Sequence, residues 1–298
     1  MSEDIGNFPI TDPMASPSQR SYLTAAVARA ILRARRQREA KVTVSLDLNR
    51  TRAVVHLAGN HVRLPDASEV AVSDIQALAS RVQRVCIVEK GKLLPVERRS
   101  RFYYKLMATK SAPTLEISGI KMHRTEGCCP YAQAEAIVRT VVRPGDRVLD
   151  SCGGLGYTAI WAARLAAERV VSIEHDMDVL EMARLNPWSE EYFFDSRIDV
   201  IPEDVTRYLA SQPSGSFDSI VHDPPHISRA GELYGRDFYF ELSRVLTAVG
   251  RLYHYVGQPY SRRGHKDIHE GVAERLANVG FDVQYIKDLR GFVCAKRR

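Results

Sequence analysis

The 298-residue chain has no apolar run approaching the ~18 residues needed to cross a bilayer. Its first twenty residues, MSEDIGNFPITDPMASPSQR, carry no basic cap leading into an apolar stretch. Neither a membrane span nor a cleaved secretory signal is expected. Cysteine is scarce: Cys86, Cys128, Cys129, Cys152 and Cys294 are odd in number and contain no C-x-x-C pair. That argues against a disulfide framework or a zinc knuckle and predicts a reducing, cytoplasmic setting with no metal site. Internal repeats and low-complexity tracts are also missing. What is present, 45% apolar and 26% charged residues, is the composition of a globular protein with room for about two domains.

Basic charge is placed unevenly. Gln19–Ala53 and Arg81–Lys110 each hold nine Lys/Arg against two Asp/Glu, which leaves the rest of the chain net acidic. Such a third either faces an anionic partner, nucleic acid being the first option, or is a solvated surface. Residues 1–18 lack periodicity and read as a flexible arm. Residues 19–125 read as a small β-rich α+β domain: a basic amphipathic helix from Ser21 (Leu23, Ala26, Val27, Ala30, Ile31, Ala34), then alternating strands, with one further helix near Ser73–Arg84 capped by Ser73.

Residues 126–298 alternate strand and helix regularly. Helices are predicted at Pro130–Val141, Tyr157–Ala167, Val179–Leu185, Val205–Ser211, Phe238–Leu246 and Ile268–Val279. Strands are predicted at Arg147–Ser151, Val170–Glu174, Asp199–Pro202, Ser219–Asp223, Arg251–Val256, Val283–Lys287 and Phe292–Ala295. Buried runs such as VVSIE and SIVHD, separated by helices, call for parallel strands with right-handed crossovers. The last two strands are too close for a crossover helix and should form an antiparallel hairpin. The expected fold is therefore an α/β, doubly wound, mostly parallel seven-stranded sheet.

Three carboxylates stand at strand ends. Asp150 leads into DSCGGLGYT, a glycine turn (Gly153, Gly154, Gly156) directly before a helix. The third glycine of a dinucleotide fingerprint is missing, and the strand-ending acid would repel a pyrophosphate while suiting an ammonium group. Glu174, with His175 after it, closes the second strand, where a carboxylate can accept from both ribose hydroxyls. Asp204 closes the third, either as acceptor for an adenine amine beside the Val205 backbone N–H or as a helix N-cap. Together they describe an adenosine carrying a cationic, phosphate-free extension, as in S-adenosylmethionine or a close relative.

The chain from about Pro130 resembles the class I S-adenosylmethionine-dependent methyltransferases: D-x-x-x-G-x-G at Asp150, Gly154 and Gly156, an acid at Glu174, another at Asp204, and Asp223-Pro224-Pro225 after strand four. The strings GLGYTA, LNPWS and DPPxxSxAGELY resemble a group of uncharacterised predicted archaeal and bacterial methyltransferases. The resemblance implies S-adenosyl-L-methionine as methyl donor, with Cys152 where the first loop glycine usually stands. It implies a reaction centre at Asp223 and Pro224, with His226 in the place of an aromatic residue, and Glu232, Tyr234, Tyr255 and Gln258 as acceptor-wall residues. A basic segment, Ser261–Lys266, is either an anion clamp or a solvated loop. Methyl transfer to an unidentified acceptor, small or macromolecular, is the expected activity. Two alternatives stay open: aminopropyl transfer from decarboxylated S-adenosylmethionine, as in spermidine-synthase-like proteins, for which Glu232 and Asp237 speak, and a nucleic-acid-binding or RNA-modifying role. The sequence leaves self-association open, a homodimer included.

Overall fold

The computed structural model describes residues 16–257 and 268–297. Gln258 and the Ser261–Lys266 segment lie outside the described residues. Contacts divide the chain into two compact units, one running to Pro130 and including Asp178–Glu190, the other Tyr131–Met177 with Glu191 onward. Among the described residues no helix is long and apolar enough to cross a membrane.

The first unit comprises β1 (Tyr22–Thr24), α1 (Ala25–Arg36), β2 (Lys41–Val44), β3 (Ala53–Ala58), β4 (His61–Arg63), β5 (Glu69–Ala71), α2 (Val72–Ala79), β6 (Val85–Glu89), β7 (Lys92–Pro95), β8 (Glu97–Arg99), β9 (Tyr103–Met107), β10 (Thr114–Ile117) and β11 (Ile120–Lys121). These strands form antiparallel sheets in the orders β1-β6-β7, β2-β3-β4-β5 and β8-β9-β10-β11. The helical reading from Ser21 is corrected here. Tyr22–Thr24 pair with β6, and Thr24 instead caps α1 by accepting from the Val27 N–H. The helix buries Ala25, Ala28, Ile31 and Ala34, so Ile31 and Ala34 of the predicted stripe are buried, while Ala26 is exposed and Val27 and Ala30 are half-buried. The second helix also starts earlier than its Ser73 cap implied, at Val72, and it stops at Ala79. Leu23, Ile31, Val55, Val62, Val70 and Ile75 join one core, each worth about 2 kcal/mol of apolar burial.

Part of the basic charge is used inside this unit. Arg98 pairs with Asp178 and Glu181, Arg50 with Glu190, and Arg84 with Glu97, while Arg29 and Arg35 donate to the carbonyls of Ala79 and Gly59. A boundary after residue 125 leaves 178–190 in the second domain. The structure instead ties that segment to the first unit through Arg98, through Arg50, and through Trp188 Nε1, which donates to the Leu48 carbonyl at 2.8 Å.

The second unit contains α3 (Pro130–Val141), β12 (Arg147–Asp150), α4 (Tyr157–Arg164) and β13 (Arg169–Ile173); the chain continues through α5 (Met177–Arg184) and α6 (Glu190–Phe194) to β14 (Ile198–Ile201), α7 (Val205–Ser211), β15 (Phe217–His222), α8 (Arg236–Val245), β16 (Leu246–Tyr255), α9 (Ile268–Asn278), β17 (Phe281–Ile286) and β18 (Gly291–Lys296). One seven-stranded sheet results, ordered β14-β13-β12-β15-β16-β18-β17. The first five strands are parallel, and β18 runs antiparallel to both neighbours, so the final pair is the expected hairpin. Strand order reverses between β13 and β15 on either side of β12, which opens a crevice at the carboxyl ends of these strands.

The register explains the core. Leu149, Ile220, Leu252, Cys294 and Val283 lie opposite one another across five strands, and Leu209, Leu242 and Leu276 of α7, α8 and α9 belong to the same cluster. Neighbouring positions point to the other face. There Ser219 Oγ and Arg251 Nε both donate to the Val141 carbonyl that ends α3, and Arg251 pairs with the buried Asp146 at 2.7 Å. Helices thus cover both faces of the sheet, and the strand ends remain as the place for a site.

Candidate functional site

Asp150 ends β12 almost fully buried, at 1% exposure. Its Oδ2 accepts from Ser172 Oγ at 2.8 Å, and Ser172 Oγ in turn lies 2.9 Å from the Tyr192 hydroxyl. Its other oxygen, Oδ1, is buried with no partner in hydrogen-bond geometry, although Thr158 exerts a weaker pull. Burial pushes the carboxyl up to about 6. A buried, under-satisfied carboxylate oxygen at a switch point suits a donor from a ligand.

The glycine turn has a reason that sequence reading missed. Gly154 and Gly156 adopt left-handed φ of +54° and +77°, and a Cβ on Gly153 or Gly156 would run into Tyr192. The turn is therefore folded over a buried tyrosine whose hydroxyl anchors Ser172. Nothing in the string EEYFF signals this, because the contact joins positions about forty residues apart in sequence. Cys152 is half-buried, and its thiol is pushed well up by burial and by the nearby Glu174 and Asp150 carboxyls. It therefore stays protonated at neutral pH.

Glu174, just beyond β13, is 8% exposed and also raised by burial. Its two oxygens accept from the Gly154 N–H (3.0 Å) and the Asp176 N–H (2.9 Å), so the carboxylate holds the glycine turn against the second strand. His175 is exposed, with its ring 3.6 Å from Glu174. Glu174→Ala is expected to cost roughly 2–4 kcal/mol, because two backbone donors lose their acceptor. Urea unfolding of that variant beside Glu174→Gln, which keeps an acceptor, measures it.

Asp204 is exposed and caps α7 by accepting from the Thr206 and Arg207 N–H groups at 2.9 and 3.1 Å. Burial raises its carboxyl, but the bonds from Thr206 and Arg207 outweigh burial and hold it below the ordinary value. The helix-capping alternative is thus what the geometry displays, with Oδ1 engaged and Val205 buried as the first helical residue.

Asp223 follows β15, half-buried. Burial, reinforced by the Asp150 charge, pushes its carboxyl up to about 7. Pro224 is buried, and the Pro225 carbonyl accepts from the Tyr234 hydroxyl at 3.0 Å, which fixes the loop. Tyr234 is buried and Tyr255 half-buried, and the Tyr234 and Tyr253 hydroxyls both feel the Asp223 charge. His226 is exposed, and its Nδ1 accepts from the Ser228 N–H at 3.3 Å; it makes no hydrogen bond to Asp223. Glu232 is exposed, as is Asp237. The site thus gathers Asp150, Cys152, Glu174 and Asp223 within electrostatic reach of one another, and among the described residues no Lys or Arg pairs with any of the three acids.

No family model matches the chain. It is 31% identical over 142 residues to polyamine aminopropyltransferase 2 of Streptomyces coelicolor, covering 45% of this chain and 26% of that protein. It is 27% identical over 142 residues to polyamine aminopropyltransferase of Aeropyrum pernix, covering 44% of each. The chain thus spans less than half the length of either named enzyme. Among solved structures, spermidine synthase in complex with the transition-state analogue AdoDATO superposes with a TM-score of 0.56 at 18% identity, over 68% of this chain and 73% of that one. Spermidine synthase from Thermotoga maritima gives 0.54 at 17%, over 68% and 72%. These two likenesses show the fold. The names of the sequence relatives overturn the expectation of methyl transfer: they favour aminopropyl transfer, which the sequence reading held as its alternative. Over most of its length, 93% of this chain and 96% of the other, at 37% identity in 284 residues, the chain matches uncharacterized protein MJ1233 of Methanocaldococcus jannaschii, and it belongs to that protein's family.

Proposed function

We propose that the chain is an aminopropyltransferase that moves the aminopropyl group of decarboxylated S-adenosylmethionine to an amine acceptor. One observation carries the reading: Asp150, Glu174 and Asp223 meet at one sheet edge with no paired Lys or Arg among the described residues. A donor with an α-carboxylate would bring a fourth negative charge into this cluster. The decarboxylated donor brings only a sulfonium and an ammonium, and a polyamine acceptor adds further positive charge.

The chemistry needs little beyond placement and one proton acceptor. The acceptor nitrogen attacks the propyl carbon bonded to sulfur, the C–S bond breaks, and its electron pair leaves on sulfur as a neutral thioether. An amine is mostly protonated at neutral pH, so it must first lose a proton. Asp223, with its carboxyl near 7, is matched to take it. In this reading Glu174 receives the ribose hydroxyls with its remaining lone pairs, and the glycine turn (Gly153, Gly154, Gly156) lies beside it. Asp204 and Val205 stand at the third strand end for the adenine edge, and Tyr234 and Tyr255 supply aromatic walls for a cation. His226 has no assigned step.

Calorimetric titration tests the donor. Decarboxylated S-adenosylmethionine is expected to bind about tenfold or more tightly than S-adenosylmethionine, through the loss of one like-charge contact. Equal or tighter binding of the carboxylated donor would contradict the reading.

A further inference from the structure

Two histidines that no step above uses end the fourth and fifth parallel strands. His222 and His254 are direct register partners on β15 and β16, both fully buried, with ring centroids 4.6 Å apart. His222 Nε2 lies 3.1 Å from the Leu233 carbonyl, which can only accept, so this nitrogen carries the proton. Nδ1 then accepts from the Ser151 hydroxyl at 2.7 Å. Burial pulls this imidazole down to about 4 and His254 well below its ordinary value, so both are neutral. His254 Nε2 meets the Tyr239 hydroxyl at 2.8 Å.

Each partner of His222 adjoins a site residue. Ser151 stands between Asp150 and Cys152, His222 itself precedes Asp223, and Leu233 precedes Tyr234, whose hydroxyl holds Pro225. The surrounding elements contribute Asp223 just after the same strand, Cys152 on the glycine turn, His254 on β16, Tyr234, Tyr239 on α8, and Arg275 on α9, whose Nε donates to the Tyr234 carbonyl at 3.0 Å. Packing alone gives no reason for an imidazole here, since an apolar side chain would fill the space without desolvating two polar nitrogens.

We propose that His222 is a positioning residue: a buried neutral strut that locks the strand ends bearing Asp150 and Asp223 to each other and to the turn bearing Tyr234. Its effect on turnover rests on the aminopropyl reading, whereas its effect on the two carboxyls does not. Without the strut, Asp223 gains solvent and distance from Asp150, and both changes favour its charged form.

The full chain, labelled with 13C at aspartate carboxyls, is titrated by NMR as wild type, His222→Leu, Ser151→Ala and the double variant, with Asp223→Asn identifying the signal. Asp223 is expected to titrate lower by about half a pH unit or more in each single variant. The double variant should go no further than His222→Leu, and His222→Asn, whose amide can face Ser151, should recover part of the shift. If His222→Leu does not fold, Ser151→Ala, a small excision, carries the test. An unmoved Asp223 titration in a folded variant, or single effects that simply add, overturns the proposal. In turnover, kcat should fall about tenfold with KM little changed, as misplacement of a proton acceptor predicts. Because the titration needs neither donor nor acceptor, an enzyme that shows the shift but no aminopropyl transfer counts against the reading of function alone.

Discussion

Asp223→Asn is expected to reduce turnover by about 10^3-fold while weakening binding of the cationic donor by no more than about tenfold, the share of one charge in the cluster. The substitution keeps shape and removes the capacity to accept the amine's proton together with one negative charge of the cluster. The carboxyl sits near 7 because it is buried beside Asp150. Wild-type kcat/KM should therefore fall as pH drops through about 7, where the base becomes protonated, and the variant's residual activity should lose that limb. Stability runs the opposite way. A carboxyl raised above its unfolded value favours the fold below the unfolded value and loses that contribution as pH rises through the folded one. At pH 8 the ionised, half-buried Asp223 is a burden, so Asp223→Asn should melt at the same temperature as wild type or higher. Loss of donor binding well beyond tenfold, or loss of stability, in this variant would mean that Asp223 supports the loop rather than the reaction.

Gly156→Ala should destabilise the protein by about 3–5 kcal/mol, a large part of the total stability of a domain. Two costs combine. The residue sits at φ +77°, where a side chain is strained, and the new methyl group would enter the ring of the fully buried Tyr192. Tyr192 cannot swing away without releasing Ser172, and with it the bond to Asp150. Urea denaturation of Gly156→Ala, of Tyr192→Ala and of the double variant measures the coupling. The double variant should be markedly less destabilised than the sum of the two, because removing the ring removes the clash. A cost under about 1 kcal/mol for Gly156→Ala would show that the turn is not wrapped on the tyrosine.

Where the chain's own periodicity carried the information, the fold was legible. The short buried apolar runs at Val148–Leu149, Val170–Ile173 and Ile220–Val221, each followed by a helical repeat, define the parallel sheet, and the short last connection defines the hairpin. Less legible were places where tertiary pairing overrides local pattern. Leu23 fits a helical stripe but is held in a strand by β6, and Asp178–Glu190 reads as part of the sheet domain but is bound through Arg98 and Arg50 to the other unit. At the site, the strand-end acids Asp150, Glu174 and Asp223 could be found because loops at a switch point advertise themselves by glycine, proline and charge. Tyr192 and His222 could not, since Tyr192 meets the glycine turn across nearly forty residues of sequence, His222 meets Ser151 across 71, and both look locally like ordinary core. Methyl and aminopropyl donors share the same adenosine and sulfonium, so the residues that recognise those parts do not separate the two chemistries. In the proposed reading the separation lies in three acids that no Lys or Arg pairs with among the described residues, a property of the assembled cluster that no motif states.

The most direct measurement of the central claim incubates the purified full chain with decarboxylated S-adenosylmethionine and a linear diamine, and in parallel with S-adenosylmethionine and the same diamine, followed by mass spectrometry of both products. The predicted result is an aminopropylated amine and methylthioadenosine in equal amounts from the first mixture and no methylated amine from the second. Methylated amine with S-adenosylhomocysteine from the second mixture, and no transfer in the first, would contradict it.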